Sequence, residues 1–131
     1  DEQVRSVDKL LQLRRRWALR EPGSAARELL ETVTGRRRFS GRMVGGHASV
    51  AEAVRAGWAD AGIGIRLVAA EAGTGFVPLR TELLDFCIPE PLTRDPRGKA
   101  LIRLLGSRTQ RRLIGQLPGY DARETGQVQS V

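Results

Sequence analysis

Short apolar runs that alternate with segments of helical period, each set off by a glycine-bearing turn, restrict this chain more than any other feature. Trp17-Ala18-Leu19 has the length of a strand and closes on Glu21-Pro22-Gly23-Ser24, where Pro and Gly make a turn and Ser24 is placed as a helix N-cap. Ala26, Leu29, Leu30 and Val33 then fall at i, i+3, i+4 and i+7, one face of an amphipathic helix that Gly35 ends. Phe39 to Val44 is a second short strand, followed by Gly45-Gly46 as a turn. Val50, Ala53, Val54 and Gly57 repeat the helical spacing, with Ser49 and Glu52 three apart as in a capping box. Trp58 to Ile65 is a buried strand, Leu67 to Ala72 a short helix stopped by Gly73, and Phe76 to Leu79 and Leu83 to Ile88 two further strands. Two helices are expected over about 96 to 106 and 107 to 117, and residues 1 to 14 carry a weaker helical pattern. Strands alternating with helices imply βαβ units, so the expected fold is α/β with a mostly parallel sheet.

Length and composition narrow what such a sheet serves. The 131 residues suffice for one ordinary domain. A charged fraction of 28% and a mean hydropathy of −0.30 belong to a folded chain in water, and no apolar run approaches the ~20 residues needed to span a bilayer, so no membrane insertion is expected. The sequence opens on Asp1-Glu2 without a basic-then-apolar export signal, which favours a cytoplasmic setting, or a periplasmic one if a signal has been removed. Cys87 alone forms no internal disulfide and reads as a core residue of the 83–88 strand.

Net charge is +7, from 22 basic and 15 acidic residues, with a pI near 11.1. Such a balance calls for an anionic partner. Yet the arginines come in scattered clusters, Arg14-Arg15-Arg16, Arg36-Arg37-Arg38 and Arg111-Arg112, and aromatic residues make up only 5%, leaving few rings for base stacking. Direct nucleic-acid binding therefore ranks behind the other readings.

Enzyme chemistry finds little to work with. One His and one Cys do not make a Cys/His zinc site, no phosphate-loop pattern is present, and Gly62-Ile63-Gly64 lacks the third glycine of a dinucleotide loop, so no cofactor and no catalytic residue are expected. What remains is two places where a small polar turn opens a helix. At Arg20-Glu21-Pro22-Gly23-Ser24-Ala25-Ala26-Arg27, Gly23 and the small residues leave backbone N–H groups accessible beside a hydroxyl and two guanidinium groups. Gly45-Gly46-His47-Ala48-Ser49 repeats the arrangement. Orphan N–H groups and the helix dipole both favour an anion there, although each place also reads as a plain N-cap.

At these residues the chain resembles the type 2 periplasmic-binding-protein fold. Arg20 to Arg27 is similar to the R-E-x-G-S-[GA]-[TA]-R stretch that opens the second lobe of LysR-type effector domains and molybdate-binding-like domains. His47 to Gly64 resembles the latter group's H-x-x-V-A-x-A-V-x-x-G-x-A-D-x-G-[LI]-G, Phe76-Val77-Pro78-Leu79 with Glu82 its F-[VI]-P-L-x-x-E, and Pro118-Gly119-Tyr120-Asp121 with Thr125-Gly126 its closing P-G-Y-[DE]-x-x-x-T-G. The resemblance implies a three-layer αβα lobe of a two-lobed clamp that holds a small oxyanion or carboxylate between helix N-termini. Carried over, Ser24 and Ala25 offer hydroxyl or amide donors, Arg20 or Arg27 charge, and His47 and Ser49 the second helix start. Ile65 or Arg66 lies where the next strand meets the cleft, whereas Asp60 and Tyr120 read as structural.

Only about nineteen residues precede Arg20, so the chain is expected to be a truncated two-lobed domain. Within a single domain over 1–131, residues 1–20 would be a hinge or first-lobe remnant, 21–80 the second lobe, and 81–131 the returning strand and C-terminal helices. The function expected is a non-enzymatic, effector-sensing domain for a small anion such as molybdate, or for a small carboxylate. It would belong to a bacterial transcription regulator with an attached DNA-binding module, or to a binding protein, and a homodimer is compatible with either. The alternative is a dimerising interaction module without ligand binding.

Overall fold

The computed structural model describes Lys9, residues 15–35 and residues 38–129. Apart from Lys9, the helical pattern over residues 1 to 14 lies outside them. Strand β1 is Trp17–Leu19, followed by α1 (Ala25–Thr34), β2 (Gly41–Met43), α2 (Gly46–Arg55), β3 (Ala61–Gly62), α3 (Arg66–Glu71), α4 (Glu90–Arg94), α5 (Pro96–Gly106) and α6 (Arg108–Gly115). The chain divides into two compact units, the first ending at Arg80 and the second beginning at Thr81.

The first unit is a parallel sheet in the order β2-β1-β3. Trp17 stands opposite Gly41 and Ala61, and Leu19 opposite Met43. Side-chain alternation along β1 divides the core in two. Trp17 and Leu19 point to one face and pack with Leu30 of α1, Ala61, Phe39 and Ile63, with the Trp17 and Phe39 rings edge to face at 5.5 Å between centroids. Ala18 points to the other face and packs with Val50 and Ala53 of α2, Ala59, Val44 and Val54. One helix thus covers each face, the three-layer αβα arrangement expected. The α2 side is built close: a Cβ on Gly62 would lie 2.4 Å from a methyl of Val50 and 2.9 Å from the Ala18 carbonyl, so the strand approaches this closely only as glycine.

Local chemistry explains the helix ends. Ser24 caps α1, its hydroxyl oxygen accepting from the Arg27 amide at 3.3 Å, and Gly35 closes it at φ 62°, a left-handed position that costs glycine nothing. Within that helix Ala26 and Leu30 are buried, but Val33 is 43% exposed, so the apolar stripe is narrower than its spacing suggests.

At the amino ends of the strands Asp60 ties β3 to β1. Its carboxylate accepts from the Arg16 amide at 2.9 Å and from the Arg16 guanidinium at 2.9 and 3.3 Å, while its own amide donates to the Arg16 carbonyl at 2.8 Å. These bonds hold the Asp60 carboxyl down at about 2. The structural reading of Asp60 thus has a concrete basis.

Several local expectations are overturned. The capping box is not formed: α2 begins at Gly46 behind an N-cap at Gly45, placing Ser49 one turn inside, and Glu52 pairs with Arg55 instead. The Trp58–Ile65 strand shrinks to Ala61–Gly62, and Trp58 is 71% exposed. Neither 76–79 nor 83–88 is a strand. Alternating apolar residues make a strand only where a neighbouring strand takes up their N–H and C=O groups, and residues 76–88 have no such neighbour among the described residues. Cys87 is consequently exposed rather than part of a core.

In the second unit α4, which no sequence pattern announced, starts at Glu90-Pro91, where proline suits a first helical turn. Asp95 caps α5 through the Arg97 amide at 2.8 Å, and Ser107 caps α6 through the Gln110 amide at 3.2 Å. No helix among the described residues is long and apolar enough to cross a membrane.

Candidate functional site

Because the three strands are parallel, their carboxyl ends share one edge of the sheet, and each feeds a helix there. Leu19 leads through Arg20–Ser24 into α1, Met43 through Val44-Gly45 into α2, and Gly62 through Ile63–Ile65 into α3. With β1 central, the connection to β2 leaves on one side and β3 returns on the other. This reversal is the place in an α/β sheet where loops part and a ligand finds room.

At the first of these turns Gly23 adopts φ 83°, and the chain folds so that the Ser24 amide and hydroxyl both donate to the Glu21 carbonyl, at 3.2 and 2.8 Å. The one hydroxyl proton is therefore committed, and Ser24 faces the edge as a cap rather than as a donor. The first-turn amides taken up by neither the cap nor the helix ladder are those of Ala25 and Ala26.

Both nearby arginines are engaged. Arg20 grips Glu21 with two bonds, Nε to Oε2 at 2.9 Å and Nη2 to Oε1 at 2.8 Å, which raises the Arg20 pKa and lowers the Glu21 carboxyl to about 2. Arg27 is largely covered, with Nε 2.7 Å from Glu31 and its guanidinium 5.4 Å from the Phe39 ring centroid. That placement makes Arg27 a packing residue of the α1 face, where a cation over a ring and an i,i+4 ion pair both stabilise the helix.

The second and third turns lie close to the first. His47, half-buried at the second position of α2, contributes to holding the Glu21 carboxyl low, so its imidazole shares an electrostatic neighbourhood with the first turn. A Cβ on Gly64 would lie 4.0 Å from the His47 carbonyl, which places the β3–α3 loop against the start of α2. Ile65 is the extended N-cap residue of α3 and contributes no side-chain cap. Arg66, exposed at the first position of α3, has no carboxylate partner among the described residues. Ser49 is exposed and a turn away from the Gly45 cap.

The structure thus brings together Gly23, Ser24, Ala25, His47, Ile65 and Arg66 at one edge, commits Arg20 and Arg27 to carboxylates, and sets Ser49 back from the rim. Sequence reasoning missed Glu21 and Glu31, the two carboxylates that take these arginines. The i,i+4 spacing of Arg27 and Glu31 was available as a signal; the adjacency of Arg20 and Glu21 was not, because neighbours in sequence meet only when a turn folds them so. The edge offers amide dipoles and one uncompensated guanidinium, a makeup suited to holding a small negatively charged or hydrogen-bond-accepting group. No group of three His, Cys, Asp or Glu residues able to hold a metal ion occurs among the described residues.

A family model described as a PBP superfamily domain matches residues 1–106. No curated protein and no solved structure matches the chain.

Proposed function

Because the chain belongs to the PBP superfamily, we propose that it is a non-enzymatic small-ligand-binding domain, the effector-sensing part of a bacterial regulator or binding protein. A PBP-like domain brings a substrate-binding role. The finer reading is an oxyanion such as molybdate, or a small carboxylate, held at the carboxyl edge of the sheet.

The observation that carries it is the convergence of three strand-to-helix turns on that edge, with exposed Ala25 at the start of α1 and the exposed Arg66 guanidinium available to a ligand. A role without covalent chemistry is favoured because the Ser24 proton is bonded to the Glu21 carbonyl, leaving no activated nucleophile there. In this reading Arg20 reaches the ligand only by releasing Glu21, so binding would exchange an internal ion pair for an external one. The ligand signal would pass to an attached DNA-binding or transport module, with the protein in the cytoplasm, and a homodimer is a compatible assembly.

Isothermal titration of molybdate, tungstate, sulfate and small carboxylates into the full-length protein tests the proposal. One of them is expected to bind, and Arg66→Ala to weaken it by an order of magnitude or more. No binding of any, with the fold intact by circular dichroism, overturns the anion reading.

A further inference from the structure

Residues 96–120 hold six cations, Arg97, Lys99, Arg103, Arg108, Arg111 and Arg112, and no acidic residue. On α6, Arg108, Arg111 and Arg112 fall at i, i+3 and i+4, the spacing at which side chains on a helix are neighbours. All three are exposed, and among the described residues none has a carboxylate partner. Three other exposed arginines do have one: Arg55 lies 2.6 Å from Glu52, Arg94 2.6 Å from Glu90, and Arg97 3.0 Å from Asp95. Three like charges on one helical turn repel one another, and in the free protein only solvent and salt relieve them.

Two of these arginines border a shallow, open concavity. Arg111, Arg112 and Gly115 form one side, and Tyr120 to Arg123 the other. The second side is held in place by its own bonds: Gly119 at φ 85° turns the chain, the Tyr120 amide donates to the Leu117 carbonyl at 3.1 Å, and Asp121 accepts from the Arg123 amide at 3.0 Å and from its Nε. Asp121 is thus neutralised by Arg123, and Arg111 and Arg112 set the net charge of the concavity.

We propose that this concavity is a binding site for a diphosphate-type anion, gripped by the Arg111 and Arg112 guanidinium groups with the Tyr120 hydroxyl at its rim. Two planar forks that line one concavity suit an anion with two linked oxyanion groups, each able to accept paired hydrogen bonds. A single small monoanion gains too little in so open a place. The residues that line the site all belong to the second compact unit.

Titration of sodium pyrophosphate into the intact chain at low ionic strength, read by calorimetry and by amide chemical shifts, tests it. The double variant R111A/R112A is expected to lose tenfold or more in affinity, and R111K/R112K part of that, because lysine keeps the charge and loses the fork. Arg94→Ala removes an exposed arginine that already has its carboxylate and is expected to change affinity less than twofold. Equal affinity for pyrophosphate and ADP supports a free diphosphate as the ligand; tighter ADP binding, reversed by Tyr120→Ala, supports a nucleotide. Absence of pyrophosphate binding, an equal loss in Arg94→Ala, or binding of duplex DNA without binding of pyrophosphate overturns the proposal.

Discussion

Among the described residues every buried apolar side chain lies at or before Ala69, whereas from Thr81 onward Leu83, Leu84, Phe86, Leu92, Leu104, Leu113 and Leu117 are all exposed. The two units do not differ for want of apolar residues. They differ in what local order lets those residues do. A strand with a helix on each face buries its alternate side chains within some sixty residues of chain, as Trp17, Leu19 and Leu30 do on one side and Ala18, Val50 and Ala53 on the other. Three consecutive short helices joined by tight caps satisfy their backbone ends yet leave Leu104 and Leu113 exposed and Leu101, Leu105 and Ile114 only half-buried. Secondary structure and a core are separate achievements, and among the described residues only those of the first unit show both.

That contrast is open to test. The largest effect is expected at Leu30, 2% exposed: Leu30→Ala should cost about 3 kcal/mol in denaturant unfolding, whereas Leu104→Ala or Leu113→Ala, removing the same atoms from exposed positions, should fall within about 0.5 kcal/mol of the parent. Equal losses at Leu30 and Leu104 would mean that the second unit has a core of its own. Next in size, Ser24→Ala should destabilise the first unit by about 1 kcal/mol through the lost cap, measured the same way. Its effect on ligand affinity should be small, because Ser24 has no proton to offer.

The smallest expected effect is acid sensitivity. Asp60 and Glu21 have folded pKa values near 2, below the ~4 of free carboxylates. The stability they add is therefore complete above about pH 5 and lost as pH falls toward 2. Thermal melts between pH 6 and 3 should show the first unit weakening at the acid end, and Asp60→Asn should remove part of that slope. An unchanged slope would mean that exposure and salt cancel these pairs.

Much of the first unit was legible because its signals are local. The Ser24 cap, the Gly35 stop and the Trp17–Leu19 run are each decided by a few adjacent residues, and the structure has all three. The errors lie where the outcome depends on distant partners. Ser49 and Glu52 have the right spacing for a capping box, but the double glycine at 45–46 turns the chain early and starts α2 before Ser49 is reached. Leu83 to Ile88 has the composition of a strand, and composition supplies no neighbour to pair with. At the candidate site the glycine turns and the helix starts were readable, since backbone geometry writes them into residue type. The Arg27–Glu31 pair had an i,i+4 spacing to announce it, but the engagement of Arg20 did not, because a charge in sequence carries no statement of which carboxylate a turn will bring to it.

The middle strand of the sheet is the first of the three in the chain. During synthesis Trp17 to Leu19 leaves the ribosome with neither neighbour yet made, and β3, the second of them, is not complete until residue 62 has followed. Until then Trp17 and Leu19 have no complete sheet to enter, so the central strand waits longest of the three for its neighbours. Folding of this unit should therefore be gated by the arrival of its last strand, and the interval before it is when the nascent chain most needs a chaperone.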